Sequence, residues 1–110
     1  MDSEKIKESY PKSWELFLFY SGLRKAWHPF DDPKWYRQLF DFFDEQNVVV
    51  EIGVDLTLEA KYCYQVYYLK DGEWINNGLG IWSDLYYTRQ EAEESAFMKA
   101  FEIFEKMLTS

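Results

Sequence analysis

The side chains that most often carry catalysis or bind metals are scarce in this chain. It has one histidine, His28, and one cysteine, Cys63. A zinc site needs three or four His, Cys or carboxylate ligands brought together, and a nucleophilic thiolate needs a neighbouring base. Because Cys63 falls within a predicted strand, it is expected to be a small buried hydrophobe. The sequence predicts no catalytic residue, no metal site and no cofactor, and hence a protein that is not an enzyme.

The carboxylates and glycines that could form a ligand site have simpler structural explanations. Asp41, Asp44 and Glu45 share a helix face and could loosely hold a divalent cation, but acids on such a face are usually only solvated. The pair Asp31-Asp32 precedes a proline and has a helix-capping role. Gly78-Leu79-Gly80 is not followed by the helix that a phosphate-binding loop requires.

Aromatic residues dominate the composition instead. The 110 residues include five Trp, nine Tyr and nine Phe. Aromatic side chains bury large apolar areas and are prominent in cores and interfaces. The composition therefore predicts extensive packing, part of it against a partner.

Charge and length restrict the class of protein. A net charge of −8, from 20 acidic and 12 basic residues, argues against a phosphate-binding face and therefore against nucleic acid. We expect a single domain over residues 1–110. The polar start is unlike a signal peptide, and no apolar run is long enough to span a membrane, so a cytoplasmic location is expected.

The last helix has the clearest local signal. Thr88 and Glu91 are spaced as a capping box, and the helix is expected from about Arg89 to Leu108. Its apolar half carries three alanines that allow close approach to a sheet. Glu93 alone falls within that half, either as a first-turn carboxylate favoured by the helix dipole or as a buried functional acid.

An earlier helix and a sheet are predicted before it. Asp32 as N-cap and Pro33 begin a helix that Gln46-Asn47 ends. Alternating residues in Val48 to Asp55 predict a half-buried strand. Tyr62 to Lys70 is rich in Tyr and Val and is predicted to form a second strand.

The hairpin signal follows that strand directly. Asp71-Gly72 fits a two-residue type I′ turn, with the partner strand beginning at Glu73. The run Ile81 to Tyr87 continues it as one bulged strand or two short ones. The fold class is thus α+β, with two N-terminal helices, a three- to four-stranded antiparallel sheet and a C-terminal helix packed on one sheet face. An alternative places the first helix on the opposite face.

The first helix, from Pro11 to Gly22, is apolar nearly all round. One stripe holds Trp14, Phe17 and Leu18, and a second lies on the opposite side. A helix in a small domain buries one stripe, so the second needs a cover. The cover is either the following helix and loop, or a partner. The aromatic Trp27 to Phe30 loop is either a lid on the core or a set of interface anchors. The candidate partner-binding residues are Leu16, Phe19, Tyr20, Leu23, Trp27 and Phe30.

Three segments resemble a group of bacterial sequences: Tyr10 to Glu15, Phe40 to Gln46 and Thr88 to Glu94. They are similar to small uncharacterised proteins of Bacteroides-type gut bacteria and their phages, a resemblance that implies a mobile-element origin and no known activity. The order helix, strands, helix is also similar to that of double-stranded-RNA-binding domains. At the position where that family has phosphate-binding lysines, this chain has Arg89 among acidic residues. This difference excludes RNA binding of that kind.

Three functions remain open from the sequence. The first is a non-enzymatic interaction domain that binds another protein. The second is a structural homodimer that covers the spare stripe of the first helix. The third is a small enzyme or ligand-binding protein with an aromatic and carboxylate cleft.

Overall fold

The computed structural model of the protein describes residues 3–21, 36–57, 59, 61–76 and 85–109. These residues form four helices and a three-stranded antiparallel sheet. In chain order the elements are α1 (Ser3–Ser9), α2 (Pro11–Ser21), α3 (Tyr36–Glu45), β1 (Val48–Val54), β2 (Tyr62–Lys70), β3 (Glu73–Asn76) and α4 (Arg89–Thr109). The α+β prediction is confirmed.

The sheet has the order β1-β2-β3 and follows the alternation of the sequence. Val48 faces Tyr68 and Val50 faces Val66, and the three valines of these two pairs are buried. Asp71 and Gly72 both have positive φ, 53° and 81°, as a type I′ turn requires. The predicted hairpin is therefore confirmed.

The chain returns to β2 beyond β3. Tyr86 forms an isolated antiparallel bridge with Tyr62, with backbone N–H···O distances of 2.6 and 3.0 Å. The ring of Tyr86 also stacks on Tyr64, with centroids 6.2 Å apart. The sequence predicted one or two strands over Ile81 to Tyr87. Of the described residues of this run, Tyr86 pairs with the sheet through this single bridge, and residues 81–84 lie outside the described part.

Helix α4 begins at the predicted cap and covers one sheet face. The Glu91 N–H donates to Thr88 Oγ1 at 3.1 Å, and the Thr88 hydroxyl donates to the Glu91 carboxylate at 2.9 Å. Ala96, Phe97, Ala100 and Phe101 are fully buried in the same cluster as the valines of the sheet. Small side chains let the helix approach the sheet closely, as predicted.

Helix α3 connects to the sheet through a left-handed residue. Asn47 has φ 60° and directly follows the last turn, where its N–H donates to the Asp44 carbonyl at 3.1 Å. Asn tolerates this conformation, which closes many helix ends. The Asn47 carbonyl then accepts from the Leu69 N–H at 3.1 Å, so the helix end is joined to β2. The predicted start of this helix, at Asp32 and Pro33, lies outside the described residues.

Helix α1 was not predicted, because its seven residues contain one apolar side chain. That side chain, Ile6, is fully buried in the core. The Tyr10 N–H donates to the Ile6 carbonyl at 2.7 Å, which joins α1 to the start of α2.

The helices meet through phenylalanine rings. Phe17 of α2 packs edge-on against Phe42 of α3 at 5.4 Å and against Phe101 of α4 at 6.4 Å. Phe43 packs against Phe101 at 4.9 Å. Helix α2 thus packs on α3 and α4, on the side of the sheet that those helices cover. The alternative that placed this helix on the opposite face is wrong, because Phe17 finds its apolar neighbours on the two helices.

One buried hydroxyl joins α3 to α4. Tyr36 is 3% exposed, and its hydroxyl donates to Glu94 Oε1 at 2.7 Å. Burial by itself raises the pKa of the Glu94 carboxyl, but the hydrogen bonds it accepts, among them those from Tyr36 and Gln90, outweigh burial and hold the pKa below the ordinary 4.5.

Replacing Tyr36 by Phe is expected to lower the free energy of unfolding near pH 7 by about 1 kcal/mol, the net value of a typical hydrogen bond. Because the folded pKa of Glu94 is below the unfolded one, the stability it contributes is lost as pH falls below 4.5. The variant should lose less on acidification than the wild type. Urea unfolding at several pH values checks this, and an equal acid loss in both proteins would contradict it.

Candidate functional site

A buried serine fixes the N-terminal end of α2 against α4. Ser13 is fully buried; its backbone N–H donates to Glu105 Oε1 at 2.9 Å and its hydroxyl donates to the same oxygen at 2.7 Å. First-turn N–H groups have no partner within their own helix, and a carboxylate there also meets the positive end of the helix dipole. Glu105 therefore caps α2 from a neighbouring helix and fixes its rotation about its axis.

The rotation so fixed directs one stripe of α2 into the core. Trp14 is 7% exposed and Phe17 is fully buried. Leu18 is partly buried and packs against the same cluster. These are the three residues of the first predicted stripe.

The second stripe is exposed. Leu16, Phe19 and Tyr20 retain 42%, 67% and 39% of their accessible surface, and we call these three residues the exposed α2 row. They are three of the six candidate residues from the sequence. The other three, Leu23, Trp27 and Phe30, lie outside the described residues.

A shallow depression lies along the exposed α2 row. It has a volume of about 370 Å³ and is lined by Lys12, Glu15, Leu16, Phe19 and Leu108. The four α2 residues have the spacing of one helix face, so Lys12 and Glu15 could have been found from the sequence. Leu108 could not, because the meeting of α2 with the end of α4 is a tertiary contact.

Tyr20 links the exposed α2 row to α3. Its ring lies 5.4 Å from that of Phe42. The pKa of its hydroxyl is raised by loss of contact with water and then by the carboxylates of Glu45 and Asp41. The exposed α2 row is therefore bordered on the α3 side by acids, which sequence spacing alone could not show.

Cys63 has the surroundings of a buried side chain. Cys63 is 8% exposed, and burial raises the pKa of its thiol, with the nearby Asp55 carboxylate adding to the rise. Among the residues that the structure describes, no three His, Cys, Asp or Glu side chains are grouped to hold a metal ion.

Other aromatic side chains lie on β3 and around the bridge that Tyr86 forms. Trp74 on β3 is 54% exposed and Tyr87 is 67% exposed, while Tyr86 is half-buried against Tyr64. Trp82 lies outside the described residues. Neither Trp74 nor Tyr87 stacks on another aromatic ring within the described part of the chain.

Comparison with protein-family models, with curated proteins and with solved structures finds no match to this chain. Within the described ranges, every helix is too short or too polar to cross a membrane.

The two stripes of α2 should respond differently to mutation. Phe17→Ala is expected to lower the free energy of unfolding by about 3–5 kcal/mol, because it leaves a cavity among buried rings. Phe19→Ser is expected to change it by less than about 1 kcal/mol, as at most exposed positions. Urea unfolding of both variants checks this; a loss of several kcal/mol for Phe19→Ser would show that the exposed α2 row is structural.

Cys63 should be unreactive in the folded protein. A buried thiol with a raised pKa carries little thiolate, so alkylation by iodoacetamide near pH 8 is expected to be at least about tenfold slower than in urea-unfolded chain. Mass spectrometry follows the modification. Equal rates in the two states would indicate an accessible cysteine, and a faster rate in the folded chain would indicate an activated thiolate and favour an enzyme.

Proposed function

We propose that the chain is a non-enzymatic interaction domain that binds another protein through the exposed α2 row. The observation that carries this proposal is the two-sided packing of α2. Trp14 and Phe17 are buried in the core, while Leu16, Phe19 and Tyr20 keep 42%, 67% and 39% of their surface exposed along the same helix. Contiguous exposed apolar groups on a small protein commonly mark contact sites.

The composition of the row supports an interface. Aromatic residues are enriched among the side chains that dominate binding energy at protein–protein interfaces. The depression beside Leu108 gives the row a concave side into which a partner side chain of modest size can pack. The two charged residues at its rim, Lys12 and Glu15, resemble the polar border that surrounds an apolar interface centre.

The row is anchored to a rigid support. Glu105 caps α2, and Phe17 packs on rings from α3 and α4. Because the row is held in place before binding, little conformational freedom is lost on association. A rigid apolar face is well suited to contact and offers no acid–base group at its centre.

The test uses variants that leave the net charge unchanged. Leu16→Ser with Phe19→Ser removes the apolar centre of the row, and Leu56→Ser removes an 82% exposed leucine elsewhere. We expect the wild type and the Leu56→Ser control to retain one stoichiometric protein from a lysate of the encoding organism, and the double variant to lose it. Retention by all three proteins would contradict the proposal.

Light scattering over a concentration series distinguishes self-association from binding to a different protein. A mass that rises with concentration to that of two chains, and returns to that of one chain in the Leu16→Ser, Phe19→Ser variant, would assign the row to a second copy. A mass of one chain at all concentrations excludes a second copy of the chain as the partner.

A further inference from the structure

The C-terminal half of α3 presents three carboxylates to solvent. Asp41, Asp44 and Glu45 are exposed and share a helix face, and we call them the α3 acids. Arg37 lies 3.5 Å from Asp41, and neither Asp44 nor Glu45 forms an ion pair within the described part of the chain. The face therefore keeps a net negative charge.

Asp41 pairs with Arg37 one turn earlier on the same helix, but Asp44 and Glu45 in the last turn do not stabilise α3. The last turn of a helix favours cations, because the carbonyl end of the helix dipole is negative, and α3 has no basic residue there. Asp44 also has a raised pKa, from partial burial and from the nearby Asp41 carboxylate. Like charges close together at a helix C-terminus reduce its stability, so the stability of α3 does not explain the positions of Asp44 and Glu45.

The α3 acids adjoin the exposed α2 row. Phe42 lies next to Asp41 in the chain, and its ring is 5.4 Å from that of Tyr20. The Glu45 and Asp41 carboxylates act electrostatically on the Tyr20 hydroxyl. The exposed α2 row and the α3 acids thus adjoin at Tyr20, whose ring packs on α3.

We infer that the occupant of the exposed α2 row is a basic amphipathic helix, whose apolar face packs on Leu16, Phe19 and Tyr20 and whose Lys and Arg side chains meet the α3 acids. This rests on the proposed function and specifies the partner's chemistry. Helices with an apolar stripe bind in this way to apolar surfaces on other proteins. An acidic partner, or an anionic lipid surface, is repelled by the α3 acids and by the net charge of −8.

The test compares two synthetic amphipathic helical peptides of about 18 residues, long enough to form a helix on binding. One has Leu on one face and Lys on the other, and its counterpart has Glu in place of Lys. Fluorescence anisotropy with the full chain should give binding of the Lys peptide at least about tenfold tighter than the Glu peptide, with the difference shrinking as salt is raised. Equal binding of the two peptides overturns the inference.

A charge-matched control separates the α3 acids from general attraction to an acidic protein. Asp41→Asn, Asp44→Asn and Glu45→Gln together should weaken binding of the Lys peptide by about tenfold, the sum of three exposed charge contacts. Glu51→Gln, Glu59→Gln and Glu73→Gln remove the same charge from exposed positions on and near the sheet, and should have a clearly smaller effect. Equal effects of the two triple variants overturn the inference. Circular dichroism confirms that both triple variants fold.

The apolar half of the inference is tested separately. Leu16→Ser with Phe19→Ser should abolish binding of the Lys peptide, while Leu56→Ser leaves it unchanged. If the Lys peptide binds the double variant normally, the site is wrong. If neither peptide binds the wild type, yet a lysate protein is retained in a Phe19-dependent way, the basic helix is wrong while the proposed interaction function stands.

Discussion

The packing of Phe17 between α3 and α4 determines how the rest of the molecule is presented. Its ring meets Phe42 and Phe101 edge-on, at 5.4 and 6.4 Å. Burying one phenylalanine contributes about 1.5–3 kcal/mol, and each such ring pair adds about 0.5–1.5 kcal/mol. Once Phe17 occupies this position, α2 has no freedom to turn its other side inward. The exposure of Leu16 and Phe19 is therefore a consequence of how the core packs.

A polar contact in the first turn of α2 reinforces that orientation. Glu105 accepts two hydrogen bonds from Ser13, one from its hydroxyl and one from its backbone N–H. Both of these buried polar groups therefore have a partner. Rotating α2 to bury its second stripe would expose Phe17 and also break this cap. Apolar packing and hydrogen bonding thus select the same face, which makes the exposed α2 row a fixed feature of the surface.

Much of the fold could be predicted from local patterns. Helix α4 begins at Thr88 and Glu91 because their side chains satisfy first-turn groups within one short segment. The hairpin follows from Asp71-Gly72, since few dipeptides accept two positive φ values. Helix α1 was missed for the opposite reason: its one apolar residue, Ile6, shows no periodicity. The packing of α2 on α3 and α4 was also missed, because no local sequence pattern indicates which surface a helix packs against.

The sequence by itself determined that α2 is a helix with two apolar stripes, and that one of them would need a cover. The sequence could not decide whether the stripe with Trp14 and Phe17 or the stripe with Leu16 and Phe19 is buried. Both stripes are bulky and apolar, so the free energies of transferring them from water to the core are similar. The tertiary structure made that choice through Ser13, Glu105 and the rings of α3 and α4. It also placed the acids of α3 beside Tyr20, since two helices distant in sequence become neighbours only when their shared core forms.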